Sequence, residues 1–197
     1  MIGIVNYGAG NIFSLTAALD RIGVEHGMIN TKEDFDKYSH IIIPGVGHAG
    51  AAMKKLQDTG LVDTILSLKK PVLGICVGMQ LMTAFSEEGD ADMLDIFPVR
   101  TLHFGKRIQA KVPHMGWNSI RIENNSPLFK DIPDNSYFYF VHSYYIERDE
   151  ATVAATCTYD TVSFAAAFQR DNFFGVQFHP EKSGKLGEQL LLNFSRF

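Results

Sequence analysis

Only two cysteines, Cys76 and Cys157, occur in 197 residues. That is too few for a secreted disulfide framework and incomplete for a structural zinc site. The other candidate ligands, His26, His40, His103 and His114, are scattered without metal-ligand spacing, so no metal is expected. Neither sign of charge dominates: 18 Lys and Arg face 22 Asp and Glu, a net charge of −4, and no basic run supplies an electrostatic footprint for nucleic acid. No uninterrupted apolar stretch reaches the length of a bilayer span, and the chain opens directly into Ile2-Gly3-Ile4-Val5 with no charged leader. A cytoplasmic location is expected. There is no internal repeat, low-complexity tract or linker, which favours one domain over residues 1–197. Gly8-Ala9-Gly10 does not complete a dinucleotide fingerprint, because Phe13 stands where a third glycine belongs, so no cofactor is expected.

What is present is the composition of an ordinary globular protein with room for a substantial core: 46% hydrophobic and 20% charged residues. The first half alternates short apolar runs with amphipathic stretches, the pattern of a doubly wound α/β fold with a central, mostly parallel sheet flanked by helices. Ile2–Asn6 reads as strand one. Asn11 then caps a helix whose Ile12, Leu15, Ala18, Leu19 and Ile22 recur at helical spacing, and Gly23 ends it. Further strands are expected at Ile41–Ile43 and Val72–Ile75, with short helices at Ala51–Gln57 and Val62–Leu68. From about Val99 closely spaced strands, Ser136–Val141, Thr152–Thr156, Phe164–Gln169 and Phe173–Gln177, predict a mixed or antiparallel extension of the sheet. Leu186, Leu190, Leu191 and Phe194 predict a terminal helix packed back on it.

Within this pattern Val72-Leu73-Gly74-Ile75-Cys76-Val77-Gly78-Met79-Gln80 places Cys76 where an apolar strand gives way to a helix. A sharp strand-to-helix turn lifts its central side chain above the carboxyl edge of the sheet and needs small neighbours, here Gly74 and Gly78. A thiol there also meets the free N–H groups and positive dipole end of the following helix, which favour thiolate. The same position suits a small core hydrophobe, so the junction alone leaves both roles open.

Ligand chemistry in such sheets gathers beyond the carboxyl ends of the strands. One loop there carries His179-Pro180-Glu181, where extended backbone would turn His179 and Glu181 to one side and let the carboxylate hold one imidazole tautomer. Pro44-Gly45-Val46-Gly47 follows the Ile41–Ile43 strand and can present N–H groups to an oxyanion, although a plain turn uses the same residues. Gln80 lies about one helical turn beyond Cys76. Ser143 and the backbone of 143–145 follow an apolar strand abruptly, as a binding wall or as a sheet edge.

These segments resemble the class I glutamine amidotransferases, through the Gly-Ile-Cys-x-Gly-x-Gln elbow and the Gly-x-Gln-Phe-His-Pro-Glu segment. The resemblance narrows to the glutaminase subunits of imidazole glycerol phosphate synthases through residues 5–11, 44–47, 113–118, 141–145 and 179–184. It implies Cys76 as nucleophile, His179 as general base and acid, and Glu181 as its orienter. Oxyanion donors would come from Gly45 and Val46, helped by Val77, and substrate contacts from Gly47, Gln80, Ser143 and Tyr144. A γ-glutamyl thioester on Cys76 would form and hydrolyse, and the ammonia released would pass to a (βα)₈-barrel cyclase subunit. Trp117 and Lys182 would lie at that partner interface, although Trp117 also suits a core. The resemblance further implies a latent activity, with the 44–47 backbone rotating into oxyanion geometry when the partner is occupied. His48-Ala49, where the family often has an aromatic, and Val77, where leucine is common, depart from the pattern without touching the triad. Three other readings remain: a paralogue supplying ammonia for surface-sugar synthesis, an amidotransferase serving another synthase, and a binding protein that keeps the fold without the chemistry.

Overall fold

The computed structural model describes residues 1–197, the side chain of Lys106 apart. Strand and crossover helix alternate through the first half: β1 (Ile2–Val5), α1 (Ile12–Arg21), β2 (His26–Ile29), β3 (His40–Ile43), α2 (Ala49–Asp58), α3 (Val62–Ser67) and β4 (Val72–Ile75). β1, β3 and β4 are buried at every position, as parallel strands covered on both faces require. The Asn11 side chain caps α1 by accepting from the Ser14 N–H, and Leu15, Ala18 and Leu19 form its buried stripe.

After β4 the chain forms α4 (Val77–Gln80) and then β5 (Thr83–Ser86), β6 (Ala91–Asp92), β7 (Phe97–His103), β8 (His114–Ser119) and β9 (Arg121–Ile122). It closes with β10 (Tyr137–His142), β11 (Tyr144–Ile146), β12 (Val153–Tyr159), β13 (Val162–Arg170), β14 (Phe173–Val176) and α5 (Gly184–Phe194). The main sheet runs β2-β1-β3-β4-β14-β13-β12-β9. Its first five strands are parallel and the last three join antiparallel. β14 returns beside β4 with Gly175 opposite Gly74 and Val176 opposite Ile75. The chain therefore leaves both strands at the same sheet edge, and residue 76 meets residues 177–181. α5 packs Leu190, Leu191 and Phe194 on this sheet. Among the described residues, no helix is long and apolar enough to cross a membrane.

Two expectations are corrected. Of the strands expected from about Val99 onward, those at 152–156, 164–169 and 173–177 do extend the main sheet, as β12, β13 and β14, but the one at 136–141 does not: it is β10 and pairs with β8, while β5, β6, β7 and β11 build a separate four-stranded sheet, β11-β7-β5-β6. The helix after Cys76 is a single turn. Thr83 ends it, its hydroxyl donating to the Gln80 carbonyl at 2.8 Å as the chain enters β5. The macrodipole of a long helix is thus not available to the thiol, and what remains is the local set of N–H groups at the turn.

Candidate active site

Cys76 is where β4 must stop and α4 must start within one residue. Its N–H still belongs to the sheet, donating to the Val176 carbonyl at 2.8 Å, while its own carbonyl accepts from Met79 and Gln80. Meeting both demands forces φ 54°, ψ −110°, a conformation that non-glycine residues rarely adopt. The flanking glycines are steric necessities. A Cβ on Gly74 would lie 2.6 Å from the Gly78 carbonyl oxygen, and one on Gly78 would lie 1.9 Å from that of Ile43. The thiol projects into a cleft of about 710 Å³.

His179 reaches the same cleft from the chain beyond β14. Its N–H donates to the Tyr139 carbonyl, and its carbonyl accepts from the Ser183 hydroxyl at 2.6 Å. The expected extended geometry is replaced: Pro180–Lys182 form a 3₁₀ turn, begun by the fixed φ of Pro180. The turn still brings Glu181 Oε1 to 2.7 Å from His179 Nδ1, with the two side chains 4% and 1% exposed. A carboxylate only accepts, so Nδ1 carries the hydrogen and Nε2 is the ring atom left for proton transfer. Nε2 is buried without a well-formed hydrogen bond, as is Glu181 Oε2. Burial disfavours a charge on this ring. Cys76, by charge and hydrogen bonding, and then Glu181 outweigh it and raise the His179 pKa well above its ordinary 6.5. The ring is poised toward imidazolium beside the Cys76 sulfur.

The cleft wall brings together most of the residues singled out from sequence. Val46, Gly47, Val77, Gln80, Ser143, Tyr144 and Lys182 line it with Cys76 and His179. Gly45 does not: it is wedged against Val77 and Gly78, where a Cβ would meet the Gly78 nitrogen at 2.5 Å. Its place is behind the wall, because the 44–47 loop must clear the α4 backbone there. The amide nitrogen of Gln80 is already engaged, donating to Gln177 Oε1 at 3.1 Å and to the Tyr144 carbonyl at 3.4 Å. Trp117 is 56% exposed, so it is no core residue, and it stands edge-on to Tyr139, over whose ring the Lys182 ammonium also sits. Cys157 lies apart in β12, where burial pushes its thiol up to about 12.

Three residues at the site escape the sequence reading. Gln177, fully buried, donates from Nε2 to the Cys76 sulfur at 3.7 Å. The alternation that pairs residues 179 and 181 would equally have aligned 177 with 179, so the signal was present. Glu88 brings a carboxylate to the cleft, one oxygen accepting from the Ala49 N–H at 2.7 Å. His142 lines the cleft beside Ser143. His142 falls within the 141–145 segment that carries the resemblance, which gave it no role, and Glu88 had no local pattern to mark it.

The sequence profile of the family described as glutamine amidotransferase class-I matches residues 4–196. A Bacteroides thetaiotaomicron protein named imidazole glycerol phosphate synthase subunit HisH is 47% identical over 195 residues, 98% of this chain and 97% of its own. The same-named Pasteurella multocida protein is 47% identical over 193 residues, 98% and 96% of the two chains. Among solved structures, PurLQS from Thermotoga maritima superposes with TM-score 0.74 at 20% identity, covering 98% of this chain and 96% of that one. A glutamine amidotransferase from the same organism gives 0.65 at 16%, covering 98% and 81%. At such identities these two speak for the fold, and the full-length relatives speak for descent: the chain belongs to the class-I glutamine amidotransferase family.

Proposed function

We propose that this protein is the glutaminase subunit of an imidazole glycerol phosphate synthase. The observation that carries the reading is the contiguous set Cys76, His179 and Glu181 at the cleft, with Nδ1 committed to the carboxylate and Nε2 left for the thiol. Cys76 thiolate attacks the side-chain carbonyl of glutamine, and the His179 imidazolium gives its proton to the departing nitrogen. Ammonia leaves and a γ-glutamyl thioester remains. His179 then takes a proton from water, which adds to the thioester and expels the thiolate, yielding glutamate. Gln177 holds the sulfur in line. N–H groups of Val46 and Val77 stabilise the oxyanion, with Gly45 as the packed base of that loop. Gly47, Gln80, Ser143 and Tyr144 shape the substrate wall, and the Glu88 carboxylate faces the substrate's ammonium.

The family's relatives are named as subunits of a synthase, which supports a complex. We assign the partner as a (βα)₈-barrel cyclase that consumes the ammonia, docked on the face carrying Trp117 and Lys182. The sugar-precursor alternative is set aside because relatives matched over nearly their whole length carry the imidazole glycerol phosphate synthase name. The test pairs this chain with its cognate cyclase and assays synthesis from glutamine and from ammonium salts. Cys76→Ala is expected to abolish glutamine-dependent synthesis and leave the ammonia-dependent reaction intact. Survival of the glutamine-dependent rate would remove Cys76 from the mechanism, and no stimulation of glutaminase activity by the loaded cyclase would remove the partner.

A further inference from the structure

Two histidines that the proposed chemistry does not use lie beside the cleft. His142 and His114 oppose each other across the β10-β8 pair, 6% and 3% exposed, with Phe104, Phe140 and Phe164 packed around both rings. His142 Nδ1 is 2.6 Å from the Tyr144 carbonyl, and His142 Nε2 is 2.9 Å from His114 Nδ1. At the far end Asn118 Nδ2 lies 3.2 Å from His114 Nε2 and 3.0 Å from the Thr158 carbonyl.

Valence places the hydrogens. A carbonyl oxygen only accepts, so His142 Nδ1 carries its hydrogen. Burial in an aromatic shell keeps the ring neutral, its pKa held to about 3, which leaves Nε2 a bare acceptor. His114 must then donate from Nδ1. Burial holds its pKa to about 4, so its Nε2 accepts from Asn118, whose two amide hydrogens are both used. Donation runs one way, from Asn118 through His114 and His142 to the Tyr144 carbonyl.

Each end of this chain touches a different part of the molecule. The Tyr144 carbonyl also receives the Gln80 amide, and Gln80 holds the Gln177 that donates to the Cys76 sulfur. Asn118 and His114 are on β8, whose alternate residues Met115 and Trp117 are 62% and 56% exposed. We propose that the His114–His142 pair is a positioning device for the glutamine site: two neutral rings, each protonated at Nδ1, fix the Tyr144 peptide against Gln80 and tie that wall to the strand bearing Trp117. The kinetic consequence rests on the glutaminase reading; the placement of the hydrogens does not.

Nitrogen-15 NMR of the histidine rings in the full chain tests the placement. Both rings are expected neutral with Nδ1–H between about pH 8 and pH 6, with a coupling across the His114 Nδ1–H to His142 Nε2 bond. A hydrogen on either Nε2, or titration of either ring in that range, overturns the proposal. Variants test the consequence, since His142→Asn retains a donor at the Nδ1 position and His142→Gln retains only the Nε2 end. In the complex with the cyclase, His142→Gln is expected to raise the glutamine KM about tenfold, the loss of one buried hydrogen bond. Its kcat should stay within about twofold, and His142→Asn should recover most of the KM. Equal KM values in the two variants, or a loss confined to kcat, would overturn the positioning role. If the parent complex hydrolyses no glutamine, the glutaminase reading fails and the NMR result still decides the proton arrangement.

Discussion

Gly78→Ala tests whether the elbow is held by backbone sterics. The added Cβ would stand 1.9 Å from the Ile43 carbonyl oxygen, 2.9 Å from its carbon and 3.3 Å from the Pro44 carbonyl carbon. Cβ contacts below 3.0 Å essentially never occur, so α4 and the end of β3 must part by at least 1.1 Å, which is 3.0 less 1.9. Neither side can yield by a rotamer change. Ile41, Ile42 and Ile43 are fully buried, and Gly45 is already pressed against Val77 and Gly78. Overpacking relieved by side chains costs about 1–3 kcal/mol; a backbone-on-backbone clash belongs at the top of that range or above it, from a total stability of roughly 5–15 kcal/mol. Urea unfolding at constant m-value reads the loss, and the rate of Cys76 alkylation by a neutral reagent reads displacement of the thiol. Gly60→Ala is the control, since Gly60 has φ +68° but nothing within 4 Å of an added Cβ, so only left-handed strain of about 1–2 kcal/mol applies. If Gly78→Ala cost no more than Gly60→Ala and alkylation kept its rate, the steric account of the elbow would be wrong.

Two further outcomes follow from burial. A glutamine-mimicking electrophile should label Cys76 and not Cys157, because Cys157 sits in β12 with its thiol pushed up to about 12; peptide mass spectrometry that found label on Cys157 would contradict this. Stability should fall on acidification below pH 6.5, because unfolded His114 and His142 take protons there while the folded rings, held to about 4 and about 3, do not. The unfolded chain then binds more protons, so each ring removes about 1.4 kcal/mol per pH unit between roughly pH 6.5 and the folded value. Urea midpoints across that window should show a slope reduced by about one proton in His114→Phe; an unchanged slope would mean that His114 is not neutral in the fold.

How far the sequence could be read depended on how local each cause was. β1, β3 and β4 are short, wholly apolar runs, so their type and their place inside a parallel sheet were visible, and Asn11 and Gly23 bracketed α1 by capping chemistry alone. Cys76 could be placed at a strand-to-helix junction because its flanking glycines have a steric cause within a few residues. β5 to β8 were not visible as separate sheets: β5 pairs in parallel with β7, and β8 pairs with β10 from well downstream. Those choices of partner are made by tertiary packing, which overrides weak strand propensity. The His114–His142 pair is the sharpest case. Each histidine is unremarkable in its own segment, and only the register that sets residue 142 opposite residue 114 turns two scattered rings into one hydrogen-bonded unit.

The same distinction bears on how the site is assembled. Strain at Cys76 is not held by its neighbours in sequence alone; its N–H is fixed by Val176, a hundred residues later, and Gln177, the next residue, grips the sulfur while its own N–H bonds Ala166 of β13. β14 thus lies between β4 and β13, supplies the ladder bond that enforces the elbow, and leads directly into His179. Removing that strand's register would release the backbone strain, the sulfur's donor and the imidazole together. Thiol geometry and base position thus share one structural element, and a perturbation that shifts β14 is expected to impair both at once, whereas one on β8 or β10 leaves the elbow's ladder bond in place and acts on the cleft wall, through Val141 and His142, the histidine pair, the Tyr144 carbonyl and the backbone of His179 that Tyr139 holds.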